Sequence, residues 1–464
     1  MRYTWLVYFS TVLNLAANAA LAGVSPDEAR KLDGPLTPVG AERAGNAEGS
    51  IPAWTGGIMT PPPGYEIGDH HSDPYPDDPI LFTISAENMA SYAANLSEGQ
   101  QALLRAYPDS WRMNVYPTRR SAAYPEFVYD ALKANALEAQ VIPDGRGGVR
   151  NARITSAFPI PRQGVEIIWN HLLRFRGLYL ERYNGQVPVT RRGRFRPILL
   201  QEEVAFPYSF NDEHPIKTRF PSLLAAFKQK VVSPGARAGF GQLTLEPLDF
   251  TSGDRNTWVY SPDLRRVFRT PFAGFDNPAP NTDGLRFADE NDMFNGSPYL
   301  FDWTLKGKRE IYVPYNAYRL HSNKNSYDDM FHQHHLNPQL ARYELHRVWV
   351  VEGVLSPTAT RRDIGPGRLN HRYQRRVFYL DEDSWQILIA EGYDHQGKLW
   401  RVNEGHVINY YEVPLLWTTL QVFHELKQRR YVVSGVDNQR PMIRFTDEGN
   451  AKGFSPNALN DFIR

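Results

Sequence analysis

The spacing of apolar residues along this chain changes period once, near residue 184. Upstream, apolar side chains recur every three or four positions. Met89, Tyr92, Ala93, Leu96, Leu103 and Leu104 predict a helix over 85–106, with Ser85 as N-cap and Asn88 leaving the capping box incomplete. Phe127 to Val141 predicts a second helix, stopped by Pro143-Asp-Gly145. Gly164 to Leu180 predicts a third, with Val165, Ile168, Trp169, Leu172 and Phe175 on one face, and Pro221 to Val231 a short fourth. Residues 23–80 are interrupted by ten prolines and read as extended chain wrapping a larger body, apart from a short helix over Asp27–Leu32. Ile51, Trp54, Ile58 and Met59 are apolar enough to dock it.

Downstream the period becomes two, the signature of strands. Strands are expected over Gln186–Arg194, Gln242–Asp249, Asn256–Tyr260, Arg266–Thr270, Trp303–Val313, Arg347–Val354, Arg372–Leu380, Trp385–Tyr393 and Lys398–Tyr411. Asp381-Glu-Asp-Ser384 and Asp394-His-Gln-Gly397 read as tight turns joining the last three into a meander. Pro414 ends that run, Leu416 to Arg429 reads as a final helix, and Tyr431–Ser434 as a short strand. The expected organisation is a leader over 1–22, the wrap over 23–80, a mainly helical region over 81–183, and a sheet with a C-terminal helix over 184–464. All but the leader form one integrated domain. The fold class is α+β.

The leader reading rests on Arg2, the apolar run Trp5–Ala17 and the cleavage pattern Ala20-Leu21-Ala22. It predicts a soluble periplasmic protein. The chain has 0 Cys, so it carries no disulfide framework, no thiol nucleophile and no lipid-modified cysteine. Charge is balanced, with Lys+Arg 52 against Asp+Glu 51, which argues against a nucleic-acid partner. Aromatics are abundant (Trp 10, Tyr 25, Phe 24) and suit a large antiparallel sheet.

Four ordered motifs resemble one family. They are Leu36-Thr-Pro-Val-Gly-Ala-Glu-Arg-Ala-Gly-Asn-Ala-Glu-Gly-Ser-Ile-Pro-Ala-Trp-Thr-Gly-Gly57, then Phe158-Pro-Ile-Pro161 with Ile168-Trp-Asn-His-Leu172, then Asp292-Met-Phe-Asn-Gly296, and Val313-Pro-Tyr-Asn-Ala-Tyr318. They are similar to an exported Gram-negative family known as domain of unknown function 1329, often labelled outer-membrane lipoprotein-sorting protein-like. Ser50 departs from the threonine common there. The resemblance implies a fold like the lipoprotein carriers LolA and LolB: a large curved antiparallel sheet, an incomplete barrel, with helices over its mouth. It also implies a neighbourhood of an RND-type exporter and an outer-membrane β-barrel protein. It brings no catalytic residues.

Chemistry-bearing clusters are sparse. His332, His334 and His335, and His70 with His71, have metal-like composition but lack a full ligand set, and the helical spacing of His332 and His335 is cut off by Asn337-Pro338. Asp289, Glu290, Asn291, Asp292 and Asn295 could suit calcium, without EF-hand spacing. Asp381, Glu382 and Asp383 are expected to be solvated in a hairpin turn. No G-x-S-x-G elbow and no phosphate-binding Walker loop is present. Neither a cofactor nor a metal is expected, and an enzyme is not. Trp54 and Trp169 read as core anchors. Strand alternation puts Trp258 with Tyr260, Trp349 with Val351, and Trp385 with Ile387 and Ile389 on shared faces. Joined to the resemblance, these seven are expected to line an apolar cavity on the concave face.

The function expected is binding, and shuttling, of a lipid or other hydrophobic compound between an inner-membrane exporter and the outer membrane. Such transit needs a dry compartment, because each methylene exposed to water costs about 0.8 kcal/mol. The rivals are an adaptor bridging those membrane components without cargo, and a hydrolase centred on His332–His335.

Overall fold

The computed structural model describes residues 23–142, 147–250, 255–270, 274–358 and 371–464. The expected leader and the Pro143–Gly145 helix stop fall outside these residues. No described helix is long and apolar enough to cross a membrane.

The N-terminal part holds the helices α1 (Pro26–Ala29), α2 (Glu98–Ala106), α3 (Glu126–Glu138) and α4 (Gly164–Leu173). Between them lie the short strands β1 (Phe82–Ile84), β2 (Met113–Val115), β3 (Gln140–Val141) and β4 (Val149–Arg150). A meander follows: β5 (Tyr179–Val189), β6 (Ile198–Ala205), β7 (Leu223–Ser233), β8 (Gly241–Pro247), β9 (Asn256–Ser261) and β10 (Arg266–Arg269). After a long connection comes a second: β11 (Phe301–Pro314), β12 (Tyr343–Leu355), β13 (Arg375–Asp381), β14 (Ile387–Tyr393), β15 (Leu399–Tyr410), β16 (Leu415–Glu425) and β17 (Arg430–Val436). A last short strand, β18 (Arg444–Thr446), precedes a helix over Pro456–Ile463.

The two meanders fuse where β17 pairs with β5, Tyr431 opposite Val189 and Val433 opposite Val187. Among the described residues this makes one sheet of sixteen strands, antiparallel except where β2 meets β12. It is curved and does not close: the strand order runs from β1 to β10 without returning. The curvature shows in the core. Leu224, Val204, Val187, Val433, Val422, Ile408, Phe378 and Val351, drawn from strands across both meanders, join α3 and α4 in one buried cluster. Helix α4 lies on β11 so closely that a Cβ at Gly164 would sit 2.9 Å from the Thr304 carbonyl carbon.

Several expectations are corrected. Leu416–Arg429 is not a helix but β16, a strand buried on both sides; without alternation, its apolar run carries no period to separate strand from helix. Pro221–Val231 belongs to β7, whose burial alternates along Leu223–Phe227. The 85–106 helix is broken. A 3₁₀ turn over Met89–Asn95 ends at extended Leu96, and α2 then starts afresh. Its N-cap is Ser97, with Gln100 completing the capping box that Ser85 lacked. The third helix stops at Leu173, and Gly177, at φ +85°, turns the chain into β5. β6 and the Pro456–Ile463 helix were not foreseen, whereas both hairpin turns of β13–β14–β15 are present.

Candidate functional site

The motif segments converge inside the molecule. Asn170 ties the α4 motif to its own leader, accepting the Phe158 N–H at 2.7 Å and donating to the Phe158 carbonyl at 2.7 Å. His171, fully buried, places Nε2 3.0 Å from the Asp292 carbonyl and 3.1 Å from that of Phe294, while its Nδ1 accepts the Ile387 N–H at 3.3 Å. Burial, with the nearby Arg174 charge, pushes His171 down to about 3, so it is neutral at pH 7. Asp292, held at φ +53° in the left-handed region, points its carboxylate at three donors. Arg174 Nη2 lies at 2.6 Å, Arg176 Nη1 at 2.8 Å and Trp417 Nε1 at 2.9 Å. Burial would raise this carboxyl, but the two guanidinium groups hold it well below the usual range. The hub fastens α4, the β10–β11 connection and β16 to one another.

Beside the hub lies a cavity of about 120 Å³. Its floor is one face of β5–β8; its walls are the end of α4, β16 and the connection around 279–295. Its apolar lining comes from Leu172, Phe206, Leu224, Phe227, Phe250 and Trp417. Interleaved with these are Arg176, Arg182, Arg255 and Arg286 with Glu202, Glu246 and Asp292, the Arg176 guanidinium lying over the Phe206 ring. Arg182 Nε pairs with Glu202 at 2.8 Å and stacks over the Trp417 ring, and Arg255 Nε pairs with Glu246 at 2.7 Å. Burial raises the Glu246 carboxyl, opposed by Arg255. The volume is close to that of engineered cavities of about 150 Å³ that hold a benzene.

None of the seven residues expected as a lining is among those that line this cavity. On β7 and β8 the alternation sends Ala225, Phe227, Gln229, Gln242, Thr244 and Glu246 into the cavity, and a bulge between Leu223 and Ala225 adds Leu224. Ala226 and Leu243 go to the opposite side, where they pack with Trp258, Tyr260 and the C-terminal helix residue Leu459. Trp349, Val351, Trp385 and Ile387 share the central cluster, the two indoles stacked with centroids 6.1 Å apart. Trp385 is fully buried, donating from Nε1 to the Val39 carbonyl. Ile389 parts from this group. A bulge in the β13–β14 pairing, between Tyr379 and Leu380, makes Leu388 an extra residue and turns Ile389 to a second cluster with Val348 and Val350. Trp169 is fully buried; Trp54 is half-buried, edge-on to Tyr129 with centroids 6.4 Å apart.

The polar clusters are also placed. Asp381, Glu382 and Asp383, expected to be solvated, are buried. Arg120 clamps Asp383 at 2.6 and 2.8 Å, while Arg347 and Lys308 pair with Glu382 at 2.7 and 2.8 Å. The reason is the wrap: Glu42 and Arg43 pack over this turn, and their carbonyls accept from Arg120. Asp289, Glu290 and Asp292 are each engaged by arginines, Arg376, Arg401 and Arg174 with Arg176, rather than grouped for calcium. His335 is buried, with Nε2 at 2.9 Å from Ser110 Oγ; His334 stacks on Tyr107, and the stretch is a loop after a one-turn helix. His71 bridges Glu412 at 2.8 Å and His321 at 3.1 Å, fastening the wrap. Among the described residues, His346, Asp381 and Asp383 have ligand atoms within 4.8 Å of one another. Both oxygens of Asp383 are taken by Arg120, so two donors remain, short of the three or four a zinc site needs.

Sequence reasoning did not find the cavity residues. Gln186, Glu202, Gln242, Thr244 and Glu246 are polar residues facing inward, which alternation reads as solvent-facing. The one available signal was Asp292-Met-Phe-Asn-Gly296, which supplies Asp292 and Asn295 to the cavity wall.

Comparison with known proteins places the chain. A protein of Pseudomonas aeruginosa described as uncharacterized is 39% identical over 448 residues, covering 96% of each chain. Among solved structures, a candidate outer membrane lipoprotein-sorting protein domain from Vibrio parahaemolyticus aligns over 64% of this chain and 98% of its own, with TM-score 0.42 and 15% identity. A DUF1329 family protein from Desulfovibrio piger aligns over 61% and 92%, with TM-score 0.40 and 13% identity. A LolA superfamily protein from Nitrosomonas europaea aligns over 64% and 98%, with TM-score 0.36 and 12% identity. At these scores the architecture rests on the strand order above. The family model described as protein of unknown function (DUF1329) matches residues 83–460, and with the full-length Pseudomonas relative it shows that the chain belongs to that family.

Proposed function

We propose that this protein binds a hydrophobic or amphipathic compound in the cavity above β5–β8 and carries it through the periplasm, between an inner-membrane exporter and the outer membrane. The observation that supports this is the cavity itself: a preformed space under a curved sheet, lined by Leu172, Leu224, Phe227 and Phe250 and by charged and polar groups among them. Ligand sites are typically concave and largely apolar, with a few placed polar groups. The described volume suits a ring or head group. This cavity lies on the face of the first meander opposite Trp258 and Tyr260, and apart from Trp349, Val351, Trp385, Ile387 and Ile389 in the second meander.

Titration with a dansyl-labelled undecanoate tests the reading. Saturable, blue-shifted emission is expected for the wild type, displaced by a lipid extract. Leu224→Trp, which fills part of the cavity, should weaken binding at least tenfold while circular dichroism and melting stay near wild type. Absence of saturable binding to the wild type would sink the carrier reading and leave the adaptor in its place.

A further inference from the structure

We propose that the charged groups lining this cavity form a subsite for an anion, the carboxylate or phosphate head of an amphipathic ligand, held by Arg286 and Arg176. The inference rests on the cavity being the ligand site, and adds the chemical class of what enters it.

The charges lining the cavity do not balance. Glu202 is committed to Arg182 Nε and, through its other oxygen, to Asn184 at 2.9 Å. Glu246 is committed to Arg255. Asp292 is shared by Arg174 and Arg176, two guanidinium groups on one carboxylate, with Trp417 donating as well. That leaves one positive charge over at the hub. Arg286 adds another. It is 7% exposed, donates from Nη1 to Asn291 Oδ1 at 3.3 Å, and forms no ion pair among the described residues. A buried charge without a partner is costly, and a ligand anion would offset that cost.

The unmade hydrogen bonds belong to residues of the same cavity lining. Arg176 Nε and Arg286 Nε are buried donors without partners, and both residues line the cavity. Burial pulls Arg176 down to about 10 and lowers Arg286 as well, opposed by Asp292 at the first and by Glu290 and Glu202 at the second. Two acceptors, Gln186 Oε1 and Asn295 Oδ1, are unpartnered beside them and suit hydroxyl groups of a head group. Guanidinium groups match the planar, multi-oxygen geometry of carboxylate and phosphate. Leu172, Leu224, Phe227 and Phe250 then take the adjoining carbons. A neutral head group can accept from the Nε–H groups but leaves the positive charge uncompensated; an anionic amphiphile supplies both.

Isothermal titration of the full mature chain with dodecanoate, dodecyl phosphate and dodecanol at pH 7.5 tests this. At least one anion should bind tenfold or more tightly than the alcohol, and the tighter of the two identifies the head group. Arg286→Gln should abolish the preference for anion over dodecanol, read as the ratio of the two affinities, and Arg286→Lys should keep part of it. Equal affinity for alcohol and anions would overturn the anion subsite while leaving hydrophobic binding intact. If no ligand of the three binds, the cavity reading fails together with it. Should Arg286→Gln not fold, the wild-type comparison of anion with alcohol decides alone.

Discussion

At the scale of single residues, this interior is unusual for the ionisable groups it holds. Glu404 is fully buried beside Tyr343, whose hydroxyl lies 3.2 Å from Oε2. Burial pushes it up to about 7 from an ordinary 4.5, with the tyrosine contact only partly opposing. A carboxyl raised on folding is a penalty above its folded value. The cost is full above about pH 7, shrinks as pH falls, and is absent below about 4.5. Glu404→Gln keeps an acceptor for Tyr343 and removes the charge. It should therefore gain about 1–3 kcal/mol of stability at pH 8.5 and nothing at pH 4.5, read by urea denaturation at both. Equal gains at the two values would show that packing, not charge, is responsible. Such groups were not legible beforehand: Glu404 sits at a position in β15 that looks no different from an outward-facing polar residue.

At the scale of elements, the N-terminal wrap is held by charge as much as by apolar anchors. Arg120 donates to Asp383 from Nε and Nη2, to the Glu42 carbonyl from Nη2 as well, and to the Arg43 and Pro52 carbonyls from Nη1, so it pins the wrap to the β13–β14 turn. Arg120→Met should cost about 3–5 kcal/mol, because Asp383 is left buried without its partner. Limited proteolysis should then cut within residues 36–57 before the sheet; if cleavage still starts elsewhere at the wild-type rate, the clamp is not what holds the wrap. The wrap and the turn were each legible as local features, from proline spacing and from Asp381-Glu-Asp-Ser384. Their contact was not, since nothing local relates Glu42 to Glu382. Elements with a clear period were read correctly, as in β13, β14 and β15. β16 was missed because burial on both sides erased its alternation.

At the scale of the whole molecule, the sheet is two meanders joined by a seam between strands about 240 residues apart in sequence. Closing a loop of that length costs about 5 kcal/mol of chain entropy, so the seam is expected to form after the local hairpins. Val187→Ala, opposite Val433 and fully buried, should destabilise by about 1–3 kcal/mol. Stopped-flow kinetics should show faster unfolding with an unchanged refolding rate, as for any contact absent from the transition state. Slower refolding instead would place the seam in the nucleus. The cavity lies on the strands next to this seam, so a bound ligand should protect it: at 100 times its dissociation constant a ligand adds about 2.7 kcal/mol, read as a raised melting temperature.

The sequence by itself determined the class of the molecule: α+β, with the sheet downstream of the helices and without cysteine chemistry. It did so because period, turn residues and composition are local properties, carried by a few neighbouring side chains. Its four motifs also pointed to the family. Only the tertiary structure decided which face of each strand is interior, that a single bulge turns Ile389 away from Ile387, and that Arg286 is buried with no ion pair among the described residues. Those outcomes depend on pairing register and on groups brought together from distant parts of the chain. A one-residue shift reverses every side chain of a strand, and no local pattern records the partner that a buried charge lacks.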